Sequence, residues 1–79
     1  MKFLVTGGAG FIGASVVRNL LKRGVPVVIG ELKPDETVLA SLKGAEVERM
    51  DVTDAASVEA VFARHRDLTH CIHLAYLMS

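Results

Sequence analysis

The chain has 79 residues and a mass of 8.5 kDa, of which 51 % is apolar and 23 % is charged. Nine basic and nine acidic residues give a formal net charge of zero, so the composition carries no electrostatic signal for nucleic acid or an anionic membrane surface. Aromatic residues are scarce and tryptophan is absent. We therefore expect one small domain over residues 1–79, with a core of aliphatic side chains and no second domain.

The number of cysteines and the N-terminal sequence indicate the cellular compartment of the protein. The single cysteine, Cys71, excludes an internal disulfide and favours a reducing, cytoplasmic environment. The apolar stretch after Lys2 imitates a secretory signal, but Thr6 and the glycines that follow interrupt it. No apolar run reaches the roughly 18 residues that a membrane span requires, so we expect no membrane partner. We also expect Cys71 to be a small core residue.

Strand-like apolar runs alternate with segments of helical periodicity along the whole chain. The predicted strands are residues 2–6, 25–30, 47–52 and 69–75. Three helices are predicted. The first begins near Ile12 and ends at Arg23, before a left-handed Gly24, and the second runs from 34 to 42. The third runs from a cap at Thr53 or Asp54 through Phe62. The third strand is charged on one side, which suits a sheet edge. This alternation predicts right-handed crossovers and an α/β fold with a parallel sheet.

A glycine-rich segment joins the first strand to the first helix. Its residues, Gly8-Ala9-Gly10-Phe11-Ile12-Gly13, match the pattern G-x-G-x-x-G. Such a loop turns sharply, lets the backbone approach a diphosphate without Cβ atoms in the way, and presents helix N–H groups to the anion. The alternative is a glycine-rich turn that binds no ligand.

An acidic residue stands at the end of the second predicted strand. Glu31 lies 18 residues after Gly13, where a carboxylate accepts hydrogen bonds from adenosine ribose hydroxyls and repels a 2′-phosphate. No arginine occurs between Gly24 and Glu48, and Lys33 is the only nearby cation. The sequence therefore favours NAD over NADP. An ordinary solvated loop acid is the alternative for Glu31.

The segment from Thr6 to Gly13 resembles the T-G-x-x-G-x-x-G signature of extended short-chain dehydrogenases/reductases, the NAD-dependent epimerase/dehydratase family. The resemblance covers essentially the whole chain. It implies a partial, doubly wound Rossmann sheet with three crossover helices. Two successive crossovers in one direction, followed by a fourth strand that returns beside the first, predict the strand order 3-2-1-4, with the first two helices on one face of the sheet and the third on the other. It places the family's three glycines on Gly7, Gly10 and Gly13. The backbone of Phe11 and Ile12 would then meet the cofactor diphosphate, and Glu31 would meet the ribose.

Two further segments carry the resemblance. Asp51-Val52 resembles the acidic-apolar pair that holds the adenine ring, although Asp51 can also cap the turn before the third helix. His73-Leu74-Ala75 resembles the H-L-A segment near the diphosphate and the nicotinamide ribose, which implies cofactor contacts at Leu74 and Ala75. Tyr76 departs from the family pattern, because a small residue usually follows H-L-A.

Catalysis in this family uses Tyr-x-x-x-Lys together with a serine or threonine. The only tyrosine here is Tyr76, and no lysine follows Lys43. The resemblance therefore implies the N-terminal, cofactor-binding portion of an enzyme that acts on a sugar-nucleotide-like substrate, and we expect no activity from these 79 residues. A non-catalytic dinucleotide-binding module and a truncated remnant without its own activity remain alternatives.

The histidines and the fourth strand complete the expectations. His70 and His73 differ by three on a strand and point to opposite faces, and His65 ends a helix, so we predict no metal site. The group Arg64-His65-Arg66 is interpreted as a solvated helix terminus.

Residues 71–75 are apolar enough for a buried central strand and carry no lysine or proline, so an open edge there predicts self-association or a molten chain.

Overall fold

A computed structural model of the chain describes residues 1–7, 10–33 and 36–74. These residues form strands and helices in strict alternation. The strands are β1 (Phe3–Thr6), β2 (Val27–Glu31), β3 (Glu46–Arg49) and β4 (His70–His73), and the helices are α1 (Phe11–Lys22), α2 (Glu36–Ala40) and α3 (Ala55–Arg64). In the part of the chain that is described, no helix is long and apolar enough to cross a membrane.

The strands form one parallel sheet in the order β3-β2-β1-β4, which confirms the predicted topology. Strand β1 is central, because Phe3 pairs with Val27 on one side and with His70 on the other. Strand β3 lies at an edge, as its charged residues predicted. All four carboxyl ends therefore lie along the same margin of the sheet.

Each face of the sheet packs against different helices. On one face, Val5 and Ile29 pack with Ala14 and Val17 of α1, and residues of α2 join the same cluster. On the other face, a second cluster joins the sheet to α3 and consists of Leu4, Val28, Met50 and Val61. The sequence-based placement of α1 and α2 on one face and α3 on the other is thus confirmed.

Helix α1 ends in the way its sequence predicts. Gly24 adopts a φ of +73°, and its N–H donates to the carbonyl oxygen of Leu21 at 3.0 Å. The next N–H, of Val25, reaches back to Leu20 at 3.0 Å, which completes a Schellman motif. Lys22 lies in the last turn, where its charge complements the helix dipole.

Several predicted boundaries move for local reasons. Strand β2 begins at Val27, because Pro26 has no N–H for the ladder, although its carbonyl oxygen accepts the N–H of Phe3. Strand β3 begins at Glu46 and ends at Arg49, after which the N–H of Asp51 donates to the Ser57 hydroxyl. Helix α2 ends at Ala40, and tight turns carry the chain to residue 42. The predicted start of that helix, residues 34 and 35, lies outside the described residues.

Two burial predictions are wrong. Cys71 is exposed and is not a core residue, because α3 packs over β1 and β2 and leaves this face of β4 open in the described part of the chain. Of the four residues of β4 only Ile72 is half-buried, so β4 has the burial of an edge strand. Conversely, His65 is not a solvated helix end, since it is only 7 % exposed. Its ring nitrogens are satisfied by Glu48 and Lys2.

Candidate functional site

The carboxyl margin of the sheet gathers the residues that the sequence singled out. Thr6, Glu31 and His73 are the last residues of β1, β2 and β4, and Asp51 follows β3 closely. The crossovers change direction between β1 and β4, and open α/β sheets bind their ligands at such a point. The topology therefore brings the glycine loop and both acidic candidates to one side of the molecule.

The glycine loop begins with a sharp turn directly after β1. Gly7 has a φ of +73°, which disfavours any residue with a side chain, and its N–H donates to the carbonyl oxygen of Gly30 at 3.0 Å. The N–H of Gly10 then donates to the carbonyl oxygen of Gly7 at 3.0 Å. A Cβ atom on Gly10 would lie 3.3 Å from that same oxygen. Gly8 and Ala9 lie outside the described residues.

The first turn of α1 presents backbone donors rather than side chains. Gly10 is the N-cap and offers no side-chain cap, and the first helical hydrogen bond joins the Ala14 N–H to the Gly10 oxygen at 2.8 Å. The amides of Phe11, Ile12 and Gly13 precede that bond, so the helix itself provides them with no acceptor. No acidic side chain lies in this turn, and Phe11 is 96 % exposed. Such a helix start is suited to an anion.

A groove of about 390 Å³ runs beside this turn, between α1 and α2. Its described lining residues are Gly10, Phe11, Ala14, Ser15, Arg18 and Val38. The sequence analysis did not single out Arg18, which lies after the glycine loop and before Gly24. The spacing of Phe11, Ser15 and Arg18 by four and three residues is the signal that places them on one helix face.

Glu31 lies at the end of β2, next to the chain that leaves β3. Its side chain is half-buried, and its carbonyl oxygen accepts the N–H of Met50 at 2.9 Å. The adjacent Gly30 leaves room for the Met50 side chain, because a Cβ atom there would lie 2.9 Å from the Met50 Cε atom. The backbone therefore brings Asp51 near Glu31, on the side of the sheet where the resemblance places the adenosine.

Asp51 has a local role in the turn before α3. Its Oδ1 atom accepts the backbone N–H of Thr53 at 2.9 Å and the Thr53 hydroxyl at 2.6 Å. These two bonds, the hydroxyl first, hold the pKa of the Asp51 carboxyl below its usual range. Asp54, and not Thr53, is the N-cap of α3, because its carboxylate accepts the Ala56 N–H at 3.0 Å. Val52 packs half-buried against the α3-side cluster.

The end of β4 is joined directly to the end of β1. The Leu74 N–H donates to the Thr6 carbonyl oxygen at 3.0 Å and to the Thr6 hydroxyl oxygen at 3.1 Å. The Thr6 Oγ1 atom also lies 2.7 Å from Nδ1 of His73. Ala75 and Tyr76 lie outside the described residues. Among those described, no group of three potential metal ligands clusters.

A parallel sheet of this order, with a glycine loop between its first strand and first helix, defines the Rossmann class of dinucleotide-binding folds. The chain is 46 % identical to divinyl chlorophyllide a 8-vinyl-reductase of Oryza sativa subsp. indica, in a match that covers 78 % of this chain and 17 % of the relative. It is 36 % identical to UDP-glucose 4-epimerase of Mus musculus, with 96 % and 25 % covered.

The fold matches a solved structure as well. The complex of Thermus thermophilus UDP-glucose 4-epimerase with NAD is 38 % identical, with a TM-score of 0.87, and the match covers all of this chain and 25 % of that one. A profile of the NAD dependent epimerase/dehydratase family matches residues 3–79. The chain belongs to this family, and it spans about a quarter or less of the length of these relatives.

Proposed function

We propose that this chain is the NAD-binding, N-terminal portion of an epimerase- or dehydratase-type oxidoreductase that acts on a sugar-nucleotide-like substrate. The observation that carries the proposal is the start of α1. There, three consecutive backbone amides follow a glycine loop at the carboxyl margin of a parallel sheet. The solved relative from Thermus thermophilus carries NAD, and the UDP-glucose named for two relatives is a sugar nucleotide.

Each binding residue has a defined task in this proposal. Gly7, Gly10 and Gly13 shape the loop and let the diphosphate approach the amides of Phe11 and Ile12. The ribose is held by the carboxylate of Glu31, the adenine by Asp51 and Val52, and the nicotinamide side by the backbone at Leu74 and Ala75. The carboxylate at Glu31 favours NAD over NADP, because it repels a 2′-phosphate.

These residues bind and orient, and they do not transfer protons. Bound NAD supplies the hydride acceptor or donor of the reaction. The 79 residues contain no Tyr-x-x-x-Lys, because Tyr76 is the only tyrosine and Lys43 is the last lysine. An isolated chain of this sequence should therefore bind the cofactor without turnover.

Replacing Gly10 by valine tests the proposed site. A branched side chain there would press on the Gly7 carbonyl oxygen, which lies 3.3 Å from the Cβ position, and would occupy the approach of the diphosphate. We expect the NAD affinity, measured by calorimetry, to fall at least about tenfold, which corresponds to about 1.4 kcal/mol.

The matched control is Gly24→Ala at the opposite end of α1. No atom lies within 4 Å of its Cβ position, but its φ of +73° makes a side chain unfavourable, so this variant loses stability without touching the site. NAD affinity should then remain close to that of the wild type. A folded Gly10→Val chain that binds NAD as the wild type does would contradict the proposal.

A further inference from the structure

A cation lies beside the carboxylate that the proposed function assigns to the adenosine ribose. Glu31 ends β2, Arg49 ends β3, and the two residues are paired in register across the parallel sheet. Neighbouring strands lie about 4.8 Å apart, so paired residues stand side by side. In the sequence Arg49 follows directly after the segment from Gly24 to Glu48, which contains no arginine. Strand pairing is therefore what makes it a neighbour of Glu31.

The side chains of Glu31 and Arg49 point to the same face of the sheet. Side chains alternate along a strand, so Glu31 shares a face with Ile29, which packs in the cluster formed with α1 and α2. Glu48 points to the other face, where its carboxylate bonds to His65 after α3. Arg49 is the next residue and consequently points to the face of Glu31, at the carboxyl margin of the sheet.

The guanidinium of Arg49 is available to a ligand. Its side chain is exposed, and it makes no hydrogen bond or ion pair with any of the residues that the structure describes. Arg64 is different, because it donates to Glu48 at 2.8 and 3.1 Å on the opposite face. A guanidinium presents planar donors that bind a phosphate through two parallel hydrogen bonds.

The two side chains act in opposite directions on the 2′ position of the ribose, which distinguishes NAD from NADP. A carboxylate accepts from the 2′-hydroxyl and repels a 2′-phosphate, whereas a guanidinium binds the phosphate. We infer that Arg49 is a specificity-determining residue, which provides from β3 a binding site for the 2′-phosphate that Glu31 alone keeps closed. This inference rests on the proposed function, which places the ribose at Glu31.

The inference makes removal of the carboxylate more than a loss of preference. With Arg49 present, Glu31→Ala should bind NADP more tightly than NAD, because the repulsion is gone and the cation remains. Adding Arg49→Gln to that variant should lower the ratio of NADP to NAD affinity about tenfold, since a charged hydrogen-bonded contact is lost. Arg49→Lys, which keeps the charge without the paired donors, should lose less.

Calorimetric titration of NAD and NADP into the wild type, both single variants and the double variant measures these ratios. Arg66→Gln is the matched control, because it removes the same charge from an exposed residue between α3 and β4, at the opposite margin of the sheet. Its ratio should stay within about twofold of the wild type.

Two adenosine fragments restrict the test to the ribose end of the site. In Glu31→Ala, 2′,5′-ADP should bind about tenfold more tightly than 5′-AMP, because only the former carries the 2′-phosphate. The difference should disappear when Arg49→Gln is added.

A ratio of NADP to NAD affinity that is the same with and without Arg49 would overturn the inference. So would a double variant that still binds 2′,5′-ADP as tightly as Glu31→Ala does. If the wild type binds neither NAD nor 5′-AMP, the proposed function fails and the inference fails with it. NAD binding that Gly10→Val weakens, together with no effect of Arg49→Gln on the ratio, would refute the inference alone.

Discussion

Glu48 is the acceptor for a buried histidine, and its removal should destabilise the chain strongly. His65 follows the last turn of α3, and its Nε2 atom lies 2.7 Å from Glu48 Oε2. Because a carboxylate only accepts, Nε2 carries the proton, and Nδ1 then accepts from the Lys2 ammonium at 3.3 Å. Arg64 also donates to Glu48, at 2.8 and 3.1 Å. Glu48→Ala would leave the His65 N–H buried without an acceptor.

The expected loss is about 2 kcal/mol of unfolding free energy, since an unsatisfied buried donor costs about 1–3 kcal/mol and the exposed Arg64 contact adds little. In a chain of this size that loss lowers the melting temperature by about 8–16 °C. Glu46→Ala is the matched control, because Glu46 lies two residues earlier on the same face. Its carboxylate is 62 % exposed, its ion pair with Lys2 is 3.7 Å long, and its Oε2 atom lies 3.6 Å from Nδ1 of His65.

The control should cost about 0.5 kcal/mol or less. Urea unfolding of the wild type and both variants measures the difference. Equal losses in the two variants would refute the assignment of the stabilising role to the buried His65 contact.

Acid titration of the same variants gives a second readout. Hydrogen bonds from Arg64, and then from His65, hold the pKa of the Glu48 carboxyl below its usual range. A group whose pKa is lower in the folded chain contributes stability above its unfolded value and loses it as the pH falls through the folded value. The wild type should therefore lose more stability than Glu48→Gln between about pH 5 and pH 3. Parallel pH profiles would contradict this reasoning.

The remaining predictions concern cofactor choice, turnover and association. Glu31→Ala should lower the ratio of NAD to NADP affinity in calorimetry, with exposed Glu59→Ala as the control, and a wild type that already prefers NADP would contradict the role of Glu31. The 79-residue chain should form no NADH with sugar nucleotides, because it contains no Tyr-x-x-x-Lys; turnover that scales with purified chain would refute this. Since β4 is the outermost strand of the described sheet and exposes Cys71, the chain should sediment as a dimer or larger at micromolar concentration, or be molten, whereas a cooperatively unfolding monomer of 8.5 kDa would contradict this prediction.

Features that depend on neighbouring residues in the chain were predictable. The left-handed backbone of Gly24 and the turn at Gly7 follow from the local backbone preferences of glycine. The order of the strands in the sheet follows from the handedness of the crossovers between them. The choice between Thr53 and Asp54 as the helix cap required the structure. Both types are good caps, and the difference lies in which side chain Asp51 already holds.

Burial at the margins of the sheet was not predictable in the same way. Cys71 lies in an apolar segment, but its exposure depends on how far α3 extends across the sheet, which no local pattern encodes. His65 lies between two arginines in the sequence, yet its ring is buried because it bonds to Glu48, which lies 17 residues away on β3. Arg18 lines the groove only because α2 packs opposite that face of α1. Each of these facts depends on contacts between elements that are distant in sequence.

The proposed cofactor binding and the stability of the fold depend on different groups in this chain, so substitutions can test the two separately. The proposed diphosphate site consists of backbone amides at the start of α1, and glycine keeps them accessible because any side chain would block the approach. The α3 face is instead fastened by side chains, with Glu48, His65 and Lys2 joining β3, the end of α3 and the start of β1. Substitutions on that face should therefore change unfolding free energy before they change NAD affinity. Thr6 is the exception, because its backbone belongs to the sheet while its hydroxyl bonds to His73 and Leu74 beside the loop. A variant of Thr6 is thus expected to change both quantities.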